Sequence, residues 1–302
     1  MTQTILAITG GTGFVGARLI DAALDAGHAV RALARRPQPA RDGVTWVAGA
    51  LEDTGALRDL VSTADAVVHI AAVLGATTRA AFEQGNIRGT RAIVDATTTA
   101  RVPRFVHVSS LAAREPALSD YGWSKAEGER VVSGGDLPWT IVRPPAVYGP
   151  GDHEQRDVFR LARLGLAVMP PPGRLSAIHV DDLAALLLAL ATAPADRAVY
   201  EPEGPDGGMD HGAYFAAIGT AVGRRVLPLP LPAPLLRLAS RADRMLRGDR
   251  AKLTPDRVAY MIHPDWTADP AKAPPPALWR PRIALAAGMA DTVRWYRAQG
   301  LL

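Results

Sequence analysis

Apolar residues in the first half of the chain fall into short runs, separated by stretches of a different period. Ile5–Ile8, Ala29–Leu33, Thr45–Val47, Ala66–Ile70, Phe105–Val108 and Thr140–Val142 are brief and lack strict alternation, as suits strands buried on both faces of a parallel sheet. Between them apolar positions recur at helical spacing, as from Phe14 to Ile20, Arg79 to Ala100 and Tyr121 to Val132. Strands alternating with helices predict an α/β fold: a doubly wound parallel sheet whose ligands sit at the carboxyl ends of the strands. After Pro144-Pro145 the punctuation changes. Pro170-Pro171-Pro172-Gly173, Pro202 to Gly208 and Pro228 to Pro234 break up shorter elements. The pattern predicts a sheet domain over 1–150 and a smaller, mainly substrate-binding α/β lobe over 151–275. A tail over 276–302 is expected to dock on the body, with Trp266, Trp279, Trp295 and Tyr296 as anchors. The longest apolar run, Leu183 to Ala193, is about half a membrane span and reads as a buried helix.

Chemistry enters at the first turn. Ile5-Leu6-Ala7-Ile8 leads straight into glycines at 10, 11, 13 and 16, and Phe14, Val15, Leu19 and Ile20 open a helix. Strand, glycine turn and helix together are the context of a Rossmann-type dinucleotide fingerprint, met here both as Gly11-x-Gly13-x-x-Gly16 and as Gly10-x-x-Gly13-x-x-Gly16. Glycine lets the backbone approach a pyrophosphate, and the helix turns its free N–H groups and positive dipole end toward it. Gly10, Gly13, Phe14, Val15 and Gly16 are therefore candidate cofactor contacts. The second strand runs into Arg35-Arg36 with no acid at its end. An acid there would hold a ribose 2′-hydroxyl, whereas an arginine forms charge-assisted bonds to a 2′-phosphate. NADP(H) is thus favoured over NAD(H), which stays open, with Arg35 as the main contact and Arg36 and Arg31 as helpers. The bland alternative is a solvated basic turn.

Composition narrows the partners. Of 302 residues, 48% are apolar and 21% charged, enough for a sizeable core and against wholesale disorder. The net charge of +4 comes from scattered residues, with Arg35-Arg36 and Arg224-Arg225 the only adjacent basic pairs, so no nucleic-acid partner is expected. The absence of cysteine excludes disulfides, thiolate nucleophiles and cysteine metal sites. No clustered His/carboxylate spacing points to a catalytic metal, and His69, His107 and His179 read as packing or capping residues. Asp181-Asp182 reads as the cap of the apolar helix that follows. No leader peptide and no membrane partner are expected, which makes a cytoplasmic protein the expectation.

The strand Phe105-Val106-His107-Val108 ends in Ser109-Ser110, and Tyr121-Gly122-Trp123-Ser124-Lys125 follows. Tyr121 and Lys125, at i and i+4, share a helix face. With the glycine turn, His69-Ile70-Ala71-Ala72, Asn86-Ile87-Arg88-Gly89-Thr90, Arg143 to Pro150 and Ile178 to Ala184, the chain resembles the extended branch of the short-chain dehydrogenase/reductase superfamily, of the NAD-dependent epimerase/dehydratase type. That resemblance implies Tyr121 as the acid/base. Its proton affinity would be drawn toward working pH by Lys125 and the oxidised cofactor. Lys125 would also hold the nicotinamide ribose, and Ser110 would polarise the substrate oxygen, with Ser109 as the alternative. It further implies cofactor contacts at Leu51, Ala71, Ala72, Asn86, Pro144 and Val147, with Tyr148 nearby, and is compatible with a homodimer.

Two departures bear on ligands. Gly49-Ala50-Leu51-Glu52-Asp53 has Ala50 where such chains often carry an adenine-side Asp, leaving backbone groups, Leu51 or Asp53 for that contact. Leu175 stands where nucleotide-sugar enzymes often place a diphosphate-binding arginine; Arg174 is adjacent but would point elsewhere on a strand. The leading expectation is therefore an NADP(H)-dependent oxidoreductase acting on a carbonyl or secondary alcohol of a small or lipophilic substrate. The alternatives are an NAD-dependent nucleotide-sugar epimerase or dehydratase, and a non-catalytic NADP(H)-binding sensor or assembly factor.

Overall fold

All six expected strands are present in the computed structural model, which describes residues 3–248, 251 and 253–302. In chain order, β1 (Ile5–Thr9), α1 (Phe14–Asp25), β2 (Ala29–Ala34), β3 (Val44–Ala48), α2 (Thr54–Val61) and β4 (Ala66–His69) come first. Then follow α3 (Arg79–Phe82), a π-helical stretch (Glu83–Arg88) and α4 (Gly89–Ala100). Next are β5 (Phe105–Val108), α5 (Asp120–Ser133), β6 (Trp139–Val142), β7 (Ala146–Tyr148), α6 (Arg156–Arg163), β8 (Leu166–Met169), β9 (Arg174–Leu175) and β10 (Ala177–His179). The chain continues through α7 (Val180–Thr192), β11 (Val199–Tyr200), β12 (Met209–Asp210), α8 (His211–Val222) and β13 (Leu227–Pro230). It ends with α9 (Ala233–Arg247), α10 (Pro255–Met261), β14 (Asp265–Trp266) and α11 (Leu285–Ala298).

The chain divides into two compact units. The first comprises Met1–Arg143, Leu183–Tyr200 and Pro274–Arg280; the second comprises Pro144–Asp182, Glu201–Ala273 and Pro281–Leu302. Boundaries at 150 and 275 do not describe this path, because the chain returns to the first unit for most of α7 and for β11. The physical reason is local: Val199 and Tyr200 pair in parallel with Ile141 and Val142, extending the sheet with a strand too short to register as a hydrophobic period.

The first unit holds one parallel sheet in the order β11-β6-β5-β4-β1-β2-β3. Sequence direction reverses between β1 and β4, so the crevice at the carboxyl ends of those two strands is the switch point where such sheets bind ligands. Helices α2, α4 and α5 pack on the sheet through a core that includes Ala7, Val67, Phe105 and Ile141 from the strands, and Leu57, Leu60, Ile93 and Val132 from the helices. The expected helix from Arg79 to Ala100 is interrupted by the π-helical turn over Glu83–Arg88, a widening that inserts one residue into the hydrogen-bond ladder.

The second unit packs Tyr148, Phe159, Tyr214, Ile218, Met289 and Tyr296 into a core of its own. Among the expected anchors, Tyr296 is fully buried against Phe159, and Trp266 stacks on Tyr260 at 4.6 Å. Asp182 does more than open α7: its Oδ2 accepts the backbone N–H groups of Arg282 and Ile283 at 3.0 and 2.9 Å, fastening the start of the C-terminal segment.

Candidate active site

The turn after β1 is built around contacts that only glycine permits. Gly10 has φ +76°, and a Cβ there would lie 2.7 Å from the Ala71 nitrogen. A Cβ on Gly16 would lie 2.1 Å from the Gly10 carbonyl oxygen, so α1 approaches the turn as closely as backbone allows. Gly13 caps α1 with no side-chain hydrogen bond, which leaves the helix's first N–H groups to an external acceptor. Ala71, on the loop after β4, donates its N–H to Thr9 Oγ1 at 3.3 Å and so lines the same turn. These residues fit a dinucleotide: the cradle has no side chain where a pyrophosphate would lie, and an uncapped helix end beside it.

Arg35 and Arg36, just past β2, are exposed, and their guanidinium groups enter no ion pair among the described residues. Arg31 does not join them. It donates to the carbonyls of Leu60 and Asp59 and pairs with the Asp59 carboxylate at 2.7 Å, tying β2 to the end of α2. Beyond β3, Asp53 is taken up as the N-cap of α2, accepting from Ala56 N–H at 3.0 Å. Leu51 packs against Gly89, where a Cβ would meet its Cδ1 at 2.7 Å, and against the core of this unit.

Asn86 sits in the π-helical turn, 3% exposed, with its amide fully engaged. Oδ1 accepts Val73 N–H at 2.6 Å; Nδ2 donates to Val73 O and to Ser124 Oγ, both at 2.9 Å. It therefore staples the loop after β4 to α5.

At the end of β5 the two serines part. Ser109 is buried and donates to Glu129 Oε1 at 2.5 Å. Glu129 in turn receives the Arg143 guanidinium through two bonds, of 2.8 and 2.6 Å. Ser110 instead caps the short helical turn over Leu111–Arg114 and shares a hydrogen bond with the phenol of Tyr121. Ser119 caps α5 by accepting Gly122 N–H at 2.9 Å, which sets the helix start and hence the aim of Tyr121. Lys125, one turn on and 3% exposed, donates from Nζ to Val108 O at 2.8 Å. Burial lowers its pKa to about 8, against an opposing pull from Glu129. Burial raises the Tyr121 phenol above its ordinary value, and the Ser110 bond works the other way. In the protein alone, then, burial outweighs the lowering expected for Tyr121.

Behind Lys125 lie two buried imidazoles stacked at 5.3 Å. His69 bridges Thr9 Oγ1 at 2.6 Å and Thr90 Oγ1 at 3.0 Å, and burial together with the Lys125 charge brings its pKa down to about 3. His107 is held well below its usual range by burial, by Lys125 and by His69. Both rings are neutral packing groups at ordinary pH, and neither adds positive charge beside the Lys125 ammonium.

Pro144, Val147 and Tyr148 belong to the second unit, on the segment leading through β7, where Val147 O accepts from Gln155 Nε2 at 3.1 Å. Burial, then Asp206 and Asp182, push the Tyr148 phenol upward. In β9 Leu175 packs toward the core of that unit, while Arg174 is exposed and donates to Gly208 O at 3.3 Å. Arg174 thus does not stand in for the position of Leu175. Sequence reasoning missed Glu129 and Arg143 as supports of the β5 end. Glu129 was open to detection as i+4 from Lys125 on α5.

The family described as NAD(P)H-binding matches residues 10–194. Ceramide reductase of Caulobacter vibrioides is 36% identical over 99% of this chain and 96% of its own length. The 3-beta-hydroxysteroid dehydrogenase of Mycolicibacterium neoaurum is 32% identical over 50% of each chain. Among solved structures, MoeE5 in complex with UDP-glucuronic acid and NAD has the same fold, with a TM-score of 0.76 at 23% identity over 98% of this chain and 99% of that one.

Proposed function

The chain belongs to the NAD(P)H-binding family, within the extended short-chain dehydrogenase/reductase superfamily, and from that premise we propose that it is an NADP(H)-dependent oxidoreductase that interconverts a carbonyl and a secondary alcohol on a lipophilic substrate. The observation that carries the chemistry is the Ser110–Tyr121 hydrogen bond at the carboxyl end of β5, with buried Lys125 one helical turn away.

Gly10, Gly13 and Gly16 with the start of α1 would hold the pyrophosphate, and Arg35, assisted by Arg36, a 2′-phosphate. Leu51 would lie on the adenine side, Ala71 and Ala72 along the loop that Asn86 staples, and Lys125 on the nicotinamide ribose. The bound dinucleotide supplies or takes the hydride. Ser110 would donate a hydrogen bond to the substrate oxygen and stabilise the negative charge that develops there. Tyr121 gives that oxygen a proton in reduction and takes it back in oxidation. The Ser110 bond works against the burial that raises the phenol's pKa, and the Lys125 ammonium together with an oxidised cofactor would lower it further. A lipophilic substrate rests on the likeness to Ceramide reductase, which spans nearly the whole of both chains, and on Leu175 packing where a diphosphate would need an arginine.

A second reading, an NAD-dependent nucleotide-sugar epimerase or dehydratase, is favoured by the likeness of fold to a protein in complex with UDP-glucuronic acid and NAD. On fold alone it has the better support. Calorimetric titration with NADPH and NADH separates the two. The first reading expects NADPH to bind at least about tenfold more tightly, about 1.4 kcal/mol, and Arg35→Ala to remove the preference while leaving NADH unchanged. Equal affinities, or NADH preferred, transfer the case to the second reading.

A further inference from the structure

We propose that α9 is a docking element for the surface of an anionic lipid bilayer. The argument starts from its sequence, Ala233-Pro-Leu-Leu-Arg-Leu-Ala-Ser-Arg-Ala-Asp-Arg-Met-Leu-Arg247. Successive residues of a helix step round its axis by about 100°, which sorts this sequence into three faces. Leu236 and Ser240, 5% and 1% exposed, with half-buried Asp243, form the face turned to the protein. Arg237, Arg241 and Arg244 form a second stripe, exposed, and pair with no acid among the described residues. Arg247 is set apart from this stripe, bound to Asp243 at 3.2 Å.

The third stripe is apolar and lies in water. Leu235, Leu238, Met245 and Leu246 are 52%, 63%, 86% and 83% exposed, with Ala239 and Ala242 between them. An ordinary surface helix turns its leucines inward and its charges outward. Here one leucine meets that rule and four large apolar side chains break it. The strand that feeds the helix, β13, is exposed along its whole length and carries Leu227 and Leu229. Exposed apolar side chains gathered this way mark an interaction surface.

Charge identifies what covers it. A continuous basic stripe beside a continuous apolar one matches an interface that offers phosphates at one depth and hydrocarbon just below, as a layer of acidic phospholipid does. A second copy packed two-fold on this face would bring unpaired arginines of like charge together. No described helix is long and apolar enough to cross a membrane, so the contact is peripheral. Against the expectation of no membrane partner, the difference lies in where the leucines point, which helical spacing alone does not reveal. The inference is independent of the substrate reading, because lipid binding is measured with no substrate present.

The test is co-sedimentation of the full chain with vesicles of phosphatidylcholine, alone and mixed in equal parts with phosphatidylglycerol. The expected result is binding at least about tenfold stronger to the mixed vesicles, weakened by added salt. Two double variants at exposed positions, L238E/M245E and R237Q/R241Q, each reduce that binding about tenfold or more while leaving NADPH affinity unchanged. Failure of the wild-type chain to favour the acidic vesicles, or equal binding by wild type and both variants, overturns the proposal. Self-association in sedimentation velocity that L238E/M245E abolishes, with no vesicle binding, also overturns it and assigns the face to a second copy.

Discussion

Ser109 and Ser110 are neighbours in sequence with opposite employment. Ser109 is spent on Glu129, which also holds Arg143, while Ser110 bonds the Tyr121 phenol. Ser110→Ala is accordingly expected to lower kcat about a hundredfold to a thousandfold, as loss of one donor to a developing oxyanion does, with the melting temperature little changed. Ser109→Ala is expected to act on stability, by roughly 2 kcal/mol for a buried bond to a charged acceptor, as read by denaturant unfolding. The converse pattern would exchange their roles. The serine pair, Tyr121 and Lys125 were legible as motif positions; which serine faces the phenol was not, because that depends on Glu129 and Arg143, drawn from two other elements.

Lys125 allows a second test at this scale. Burial sets its pKa at about 8 against 10.5 for an ordinary lysine. Between those values the unfolded chain carries a proton there that the folded chain has lost, so this group's contribution to stability rises with pH across the window. The unfolding free energy of the wild type relative to Lys125→Met is therefore expected to increase from about pH 8 to pH 10.5. A difference that is flat or falls would show that Nζ is not buried as described.

Among the elements, the β1–α1 turn shows backbone contact overruling propensity. Alanine is a better helix former than glycine by about 1 kcal/mol, yet a Cβ on Gly16 would stand 2.1 Å from the Gly10 oxygen. Gly16→Ala is expected to weaken NADPH binding at least about tenfold in calorimetry and to lower the melting temperature. Unchanged binding would mean that the turn can open without cost. The six strands and α5 were readable because their periods differ and their ends are punctuated. The π-helical turn holding Asn86 was not, since a ladder widened by one residue leaves the apolar spacing from Arg79 to Ala100 nearly intact. Nor was the outward aim of α9, for leucines at helical spacing look alike whether they face a core or water.

At the scale of the whole molecule, the order β3-β2-β1-β4-β5-β6 with β11 appended places the glycine turn, the Asn86-stapled loop and the Ser110–Tyr121 pair at strand ends of one sheet. The fold class follows from alternation of strand and helix, but the division into units does not, because the return of α7 and β11 to the first unit is encoded in a two-residue strand. The fold by itself does not fix the substrate. The most direct measurement is therefore transfer of deuterium from NADPH labelled at its hydride position to a ceramide-type ketone. One deuterium is expected in the alcohol produced, with the rate falling about a thousandfold in Tyr121→Phe, within the range for loss of a general acid. Absence of label in any lipid alcohol, with interconversion of a UDP-sugar by chain that carries its own NAD, would overturn the proposed reduction.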